Sequence, residues 1–132
     1  MVTYDMSKMP VIDVADDIIS NAAKQGASDI HFDPRDDFLL IRLRIDGDLK
    51  DYTTIPKMYE RNLITRIKLL ANMNITESRL PQDGSIKGKI KGVEVETRVS
   101  TLPTNEGEKC VIRILDYSRS LEGIESLGFN ES

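Results

Sequence analysis

The stretch that decides the predicted fold runs from residue 79 to residue 116 and reads RLPQDGSIKGKIKGVEVETRVSTLPTNEGEKCVIRILD. Residues 93–100 alternate between apolar or small side chains and charged or polar ones, which is the period-two pattern of a half-buried strand. Residues 109–115 alternate in the same way and place Cys110, Ile112 and Ile114 on one face. The stretch is therefore predicted to form a three-strand meander.

Two arginines lie on adjacent strands of this meander, with Pro103, Asn105 and Gly107 marking the loop between them. If the loop is symmetric about residues 105 and 106, Arg98 lies opposite Arg113 or one position away. Like charges in that relation repel and weaken a sheet. A carboxylate partner or a bound phosphate would remove the repulsion, and guanidinium suits phosphate because it donates two parallel hydrogen bonds.

A simpler interpretation of the two arginines remains open at this point. They are solvated, or they pair with Glu94, Glu96 or Glu108, because surface ion pairs are common and individually weak. Spacing alone favours this interpretation, and a functional role needs support from elsewhere in the chain.

Composition describes one soluble globular domain of 132 residues, with 39% hydrophobic and 30% charged residues. No apolar run approaches the roughly 18 residues of a membrane span, and the N-terminus lacks a signal region. The single cysteine, Cys110, suits a reducing cytoplasm and buried packing. The net charge of −4 argues against a nucleic-acid partner.

The rest of the chain supplies helices and further strands around the meander. A helix over 13–25 begins at a capping Asp13 and ends at Gly26, and a second helix over 56–71 begins at Pro56. The predicted buried stripe of the first helix is Val14, Ala15, Ile18, Ile19 and Ala22. That of the second is Met58, Leu63, Ile64, Ile67 and Leu70, with Arg61, Arg66 and Lys68 elsewhere on its surface.

Strands are predicted between the two helices, over 27–34, 38–46 and 49–53, with a two-residue hairpin turn at Asp46-Gly47. Lysines at 87, 89 and 91 are typical of the solvent face of an edge strand. The predicted fold class is α+β: an antiparallel sheet with helices packed on one face.

No motif in the sequence makes a self-sufficient catalyst. The G-x-x-x-x-G-K-[ST] phosphate loop is absent, and one histidine and one cysteine are a poor basis for a metal site. His31 shares a predicted strand face with Asp29 and Asp33 and could form an acid–base group, although a histidine hydrogen-bonded at a strand edge is the favoured interpretation. Asp46 and Asp83 each precede a glycine, which turn chemistry explains first.

Seven ordered segments together resemble the domain that precedes the motor domain in the type II secretion and type IV pilus assembly ATPases. The segments are ASDIH (27–31), RLRIDG (42–47), RIKLLA (66–71), RLPQDG (79–84), RVSTLPT (98–104), GEKCVIRIL (107–115) and LGF (127–129). The resemblance implies a PAS-like sheet-and-helix domain of a hexameric ATPase that drives pilus extension or pseudopilus-dependent secretion. The phosphate loop and the catalytic residues would lie in the motor domain, beyond Ser132.

The resemblance also implies a site. The N-terminal domain of such proteins closes over nucleotide held by the motor domain, and Arg98 and Arg113 match the arginines that contact the ATP phosphates. Arg79 and the turn at 81–84 are weaker candidates. The family often has a basic residue directly after Q-D-G, where this chain has Ser85. ATP and Mg would belong to the full-length protein; this chain alone is expected to bind neither tightly and to be no enzyme.

The domain bounds predicted are a linker or disordered N-terminus over 1–10, the PAS-like domain over 11–117, and the start of a linker to the absent motor domain over 118–132. Leu121, Ile124 and Leu127 have nothing obvious to pack on within the chain, which favours a piece cut just before the next domain.

The implied partners are the protein's own motor domain, neighbouring subunits of a hexamer and the inner-membrane platform protein, with no nucleic acid and no direct membrane insertion. The implied location is the cytoplasm, peripheral to the inner-membrane machinery. The alternative function is a non-catalytic interaction module that docks a subunit or the platform protein, with the arginines incidental. A free-standing PAS-like sensor of a small ligand is disfavoured by the 5% aromatic content.

Overall fold

The computed structural model describes residues 1–115, and the predicted linker over 118–132, with Leu121, Ile124 and Leu127, lies outside them. The helices are α1 (Val11–Lys24) and α2 (Glu60–Leu70), the latter preceded by a 3-10 turn (Lys57–Tyr59). The strands are β1 (Asp29–Pro34), β2 (Phe38–Ile45), β3 (Asp48–Pro56), β4 (Gln82–Ile90), β5 (Val93–Thr104) and β6 (Gly107–Ile114).

The six strands form one antiparallel sheet in the order β3-β2-β1-β6-β5-β4. Its inner face is apolar and packs with both helices into one core. The predicted α+β class is therefore confirmed. The first strand lies between β2 and β6, so the centre of the sheet pairs strands that are far apart in the sequence.

Alternation along each strand sorts the side chains between core and surface. On β6, Cys110, Ile112 and Ile114 are buried as predicted. The predicted stripe of α1 is fully buried as well, since all five of its residues have no exposed surface: Val14, Ala15, Ile18, Ile19 and Ala22. β4 is an edge strand with Lys87 and Lys89 exposed, which confirms the edge prediction for these two lysines.

Short turns fix the pairing of the hairpins. Asp46 and Gly47 have φ angles of 53° and 84°, the positive values that a type I′ hairpin turn requires, so the predicted turn is confirmed. Between β5 and β6, Thr104 pairs with Gly107 and leaves a two-residue turn.

The ends and faces of the helices differ from the prediction in four places. The second helix begins at Glu60, because Pro56 is the last residue of β3 and the 3-10 turn follows it. α1 begins at Val11 after Pro10, so Asp13 lies in its first turn and does not cap it. Met58 is 76% exposed because it lies in the 3-10 turn before α2, where the helical phase has not yet begun. Lys68, predicted on the surface, is 2% exposed.

Gly84 was predicted in a turn, but it lies within β4. A Cβ atom at this position would overlap the carbonyl oxygen of Ala71, and would lie 3.1 Å from the Cβ of Ala71 and 3.2 Å from Cγ of Met73. The glycine is therefore required by the close approach of β4 to the end of α2. Asp83 lies on β4 as well, where its Oδ1 accepts a 3.0 Å hydrogen bond from the Ser100 hydroxyl.

The first residues of the chain contact both α1 and β3. The Val2 amide donates a 2.7 Å hydrogen bond to the Tyr52 carbonyl. The Tyr4 hydroxyl donates a 2.6 Å hydrogen bond to Oδ2 of Asp17 and lies 3.0 Å from the Tyr52 hydroxyl. Burial, followed by these two contacts of its hydroxyl, raises the pKa of Tyr4. The domain bounds at 1–10 and 11–117 stay a prediction.

Candidate functional site

A row of polar side chains crosses the outer face of the sheet, opposite the helices. Consecutive strands pair Ser85 with Arg98, Arg98 with Arg113, Arg113 with Asp29, and Asp29 with Arg44. These five residues are called the arginine row below. It carries three guanidinium groups against one carboxylate, so its local charge is positive.

Arg98 and Arg113 are direct cross-strand partners, which confirms the register predicted from the loop. The cause is local: Thr104 pairs with Gly107, and the same count of residues along each strand leads to the two arginines. Directly opposed side chains on one sheet face have their Cβ atoms about 5 Å apart. The sequence therefore brings two positive charges together through the length of a single turn.

Asp29 is the carboxylate partner of Arg113. The Nε atom of Arg113 donates a 3.2 Å hydrogen bond to Oδ1 of Asp29, and Nε of Arg44 lies 3.3 Å from Oδ2. The Asp29 side chain is 10% exposed and that of Arg113 is 69% exposed. The carboxylate is thus enclosed beneath the arginines while the Arg113 guanidinium extends towards solvent.

Within residues 1–115, the three glutamates considered as partners of Arg98 and Arg113 lie against lysines instead. Glu94 and Glu96 lie opposite Lys89 and Lys87 in the pairing of β4 with β5. Glu108 pairs with Lys68. The interpretation that these glutamates neutralise the arginines is therefore wrong for the part of the chain that the structure describes.

Arg98 has a different environment from Arg113. Its side chain is exposed, and no hydrogen bond or ion pair within residues 1–115 involves it. It lines a shallow depression of about 440 Å³ together with Ser85, Lys87 and the carboxylates of Asp83 and Glu96. Arg98 thus presents its donors at an open surface whose lining carries two cations, Arg98 and Lys87, and the two carboxylates.

A buried ion pair fixes the strand that carries Arg113. Nζ of Lys68 on α2 lies 2.7 Å from Oε2 of Glu108 on β6 and donates a 2.7 Å hydrogen bond to the Glu77 carbonyl. Such a pair keeps a low-dielectric position only when its charges are matched and hydrogen-bonded. It ties β6 to the helix layer at the end of the strand away from Arg113.

A second charged cluster lies beside the row, around Asp33. Nε of Arg42 donates a 3.1 Å hydrogen bond to Oδ2 of Asp33, and Nζ of Lys109 lies 3.4 Å from Oδ1. Burial acts to raise the pKa of Asp33, but the hydrogen bond from Arg42 and the charge of Lys109 outweigh it and the pKa is lowered. Asp33 is therefore held ionised by two cations.

His31 lies between the two carboxylates on the central strand β1. The interpretation of a hydrogen-bonded histidine at a strand edge is wrong, because β1 is flanked on both sides and, within residues 1–115, Nε2 of His31 is buried without a hydrogen-bond partner. Burial is the main cause that lowers the His31 pKa, with Asp33 acting in the opposite direction. Within residues 1–115 no hydrogen bond joins His31 to Asp29 or Asp33, so the three do not form an acid–base group.

Arg79, the weaker candidate, lies apart from the row. It is exposed in the connection between α2 and β4, where its backbone amide donates a 2.8 Å hydrogen bond to Glu77 Oε2. Asp29 and Arg44 were missed as members of the site. Their strand alternation was visible in the sequence, but the insertion of β1 between β2 and β6 was not.

The described part of the chain offers neither a metal site nor a membrane-spanning helix. Residues 1–115 contain no group of three His, Cys, Asp or Glu side chains placed to hold a metal ion. None of their helices is long and apolar enough to cross a membrane.

Comparison with known protein families identifies the family to which this chain is related. The sequence model of the family described as "Type II/IV secretion system protein" matches residues 5–132. The chain belongs to this family. The resemblance read from the seven motifs is confirmed, and two of them, RVSTLPT and GEKCVIRIL, carry Arg98 and Arg113.

Curated relatives are pilus and secretion proteins. The chain is 45% identical over 112 residues to the type IV pilus assembly ATPase PilB of Thermus thermophilus, covering 85% of this chain and 13% of that protein. It is 40% identical over 119 residues to the type II secretion system protein HxcR of Pseudomonas aeruginosa, covering 90% of this chain and 25% of the relative. The chain therefore spans a quarter or less of the length of these relatives.

A solved structure shares the fold. The pilus retraction motor PilT, crystallised with bound ADP, superposes with a TM-score of 0.51 at 22% identity over 74% of this chain and 28% of that one. At that identity the likeness concerns the fold alone.

Proposed function

We propose that this chain is the N-terminal domain of a secretion or pilus-assembly ATPase and that it closes over ATP held by a motor domain in the longer protein. Arg98 and Arg113 would contact the ATP phosphates. The observation that carries the proposal is their direct pairing on an open sheet face, in a chain whose curated relatives are named as ATPases of these machines.

The arrangement suits a polyphosphate on electrostatic grounds. Two guanidinium groups held side by side repel each other, and an anion between them removes the repulsion while accepting several charge-assisted hydrogen bonds. The energetic gain is larger once domain closure excludes water. The two arginines would stabilise charge at the β- and γ-phosphates in the manner of an arginine finger.

ATP and Mg would be bound chiefly by the motor domain. The 132 residues contain no G-x-x-x-x-G-K-[ST] loop, so this chain would complete a nucleotide site built elsewhere and would not hydrolyse ATP alone. Because one nucleotide would touch both domains, hydrolysis would change the contacts that hold them closed. That change would couple hydrolysis to pilus or pseudopilus assembly.

The proposed partners follow from this role. They are the motor domain of the same protein, neighbouring subunits of a hexamer and the inner-membrane platform protein of the machine. The proposed location is the cytoplasm, at the inner-membrane assembly, with neither nucleic acid nor direct membrane insertion involved.

A second candidate function is docking through the helix layer, independent of nucleotide. Ile12 on α1 and Leu69 on α2 are 53% and 54% exposed and line a groove of about 400 Å³. In that case the arginines would be incidental and the groove would hold a subunit or platform protein.

The test compares single replacements in the longer protein that carries this domain. Arg98→Ala and Arg113→Ala should each lower the ATPase rate on the order of 10²-fold, the typical cost of losing one transition-state donor. Arg35→Ala is the matched control, since Arg35 is an exposed arginine in the β1–β2 turn away from the row. Circular dichroism and hexamer size verify folding.

Two results separate the candidates. An unchanged ATPase rate in both row variants contradicts the nucleotide role. Loss of assembly in Leu69→Glu, with ATPase rates of Arg98→Ala and Arg113→Ala at the wild-type level, supports docking through the groove.

A further inference from the structure

Asp29 engages Arg113 through one nitrogen. The hydrogen bond to Oδ1 uses Nε, and neither terminal nitrogen of Arg113 has a hydrogen bond within residues 1–115. A guanidinium group is planar, so holding Nε fixes the plane and direction of the whole group. With 69% of the side chain exposed, the two terminal nitrogens form a free edge that faces solvent beside Arg98.

Asp29 is itself held from the opposite side. Nε of Arg44 lies 3.3 Å from Oδ2, and Nη1 of Arg44 donates a 2.9 Å hydrogen bond to the Gly47 carbonyl at the hairpin turn. The carboxylate is 10% exposed and lies on the central strand β1. Both oxygens are therefore engaged, and the carboxylate is fixed in direction.

We propose that Asp29 is a positioning residue: it orients Arg113 so that the terminal nitrogens stand ready, next to Arg98, for the phosphates of a nucleoside triphosphate. This rests on the proposed function, in which the two arginines meet those phosphates. Ordering the guanidinium before the ligand arrives removes part of the entropy cost of binding. Arg44 supports the arrangement by holding the second oxygen of Asp29.

Competition between Asp29 and phosphate for Arg113 would predict the opposite effect of neutralising Asp29. If the carboxylate competed with phosphate for Arg113, neutralising it would free the arginine and improve nucleotide use. If Asp29 positions Arg113, neutralising it disorders the guanidinium and impairs nucleotide use. Asp29→Asn keeps the size of the side chain and one oxygen acceptor, and so isolates the charge.

The first measurement is NMR of the Arg113 Nε–Hε group in the 132-residue chain, assigned by its disappearance in Arg113→Lys. We expect a rigid, slowly exchanging signal in the wild type and a mobile, fast-exchanging one in Asp29→Asn. Glu94→Gln is the control, since it removes the same charge from an exposed position on the same face of the sheet. A mobile signal in the wild type, or an equally rigid one in Asp29→Asn, overturns the proposal.

The second measurement is the rate of MgATP hydrolysis by the longer protein. Asp29→Asn should lower the rate about tenfold, within the range that misplacing a catalytic group costs, while Asp29→Glu restores part of it and Glu94→Gln leaves it unchanged. A higher rate in Asp29→Asn identifies competition and overturns the proposal.

The two proposals fail in different ways. If Arg113→Ala lowers the rate and Asp29→Asn does not, positioning by Asp29 is wrong and the phosphate role of Arg113 stands. If Arg113→Ala leaves the rate unchanged, the phosphate role of Arg113 is wrong, and the positioning role of Asp29 falls with it whatever the NMR signal shows. Should Asp29→Asn fail to fold, Arg44→Gln tests the same arrangement by releasing Oδ2 of Asp29.

Discussion

Nζ of Lys68 lies 2.7 Å from Oε2 of Glu108, and the lysine side chain keeps 2% of its surface exposed. Breaking such a pair by removing one partner leaves an uncompensated charge in the core. Lys68→Met should therefore lower the free energy of unfolding by about 3 kcal/mol, measured by urea denaturation.

The double replacement Lys68→Met with Glu108→Leu removes both charges and should recover most of that loss. Lys24→Met, on the exposed face of α1, is the matched control and should change stability little. Equal losses in the single and the double variant would show that packing, and not charge, governs this position.

Replacing Gly84 by alanine should destabilise the domain. The added Cβ overlaps the Ala71 carbonyl, and a backbone atom cannot rotate away as a flexible side chain can. Overpacking of this kind costs about 1–3 kcal/mol, measurable by urea denaturation. Ser85→Ala, exposed at the next position of the same strand, should be nearly neutral; a neutral Gly84→Ala would mean that β4 shifts freely from α2.

The two paired arginines should affect the stability of the isolated chain in opposite directions. Arg98→Gln removes a like-charge repulsion and should stabilise by about 0.5 kcal/mol at low salt. Arg113→Gln removes a partner of the enclosed Asp29 carboxylate and should destabilise. Urea midpoints at low and high salt test both signs, and the Arg98 effect should shrink at high salt because salt screens exposed charges.

Stability should decrease as pH falls below about 6.5, the ordinary pKa of histidine. Burial, the largest cause, lowers the His31 pKa in the folded protein, with Lys109 acting in the same direction and Asp33 and Asp29 opposing. The unfolded chain then binds the proton first, so the contribution is complete above the unfolded pKa and is lost as pH falls through the folded one.

Urea midpoints between pH 8 and pH 5 measure this slope, and His31→Gln should flatten it. The contribution of Asp33, whose pKa is also lowered, is present above about pH 4 and is lost below it, so the two windows are separate. If the slope of stability against pH is unchanged in His31→Gln, another group causes the pH dependence.

The part of the site that lies on one hairpin was predictable from the sequence. A two-residue turn fixes the register of β5 on β6, and alternation then places Arg98 and Arg113 on the same face. The same local rules explain the buried stripe of α1 and the hairpin turn at Asp46. Each depends on residues close in the chain.

The partner of Arg113 depends on a pairing 84 positions apart and could not be predicted. Asp29 becomes its neighbour because β1 inserts between β2 and β6, and alternation on β1 is compatible with several sheet orders. Lys68 was misplaced for a related reason. Helical spacing predicts which residues of α2 share a face. It does not predict that Glu108 on β6 supplies the carboxylate with which the buried Lys68 pairs.

The buried thiol of Cys110 can be used to measure how often the sheet opens. Burial raises the pKa of this thiol, and reagents such as maleimides react with exposed thiolate, so labelling requires β6 to leave the core first. The labelling rate therefore measures how often the sheet opens, without any substitution. Because the 132 residues hold no other cysteine, a fluorophore attached through a new cysteine on the outer sheet face would have no competing reactive site while the fold is intact.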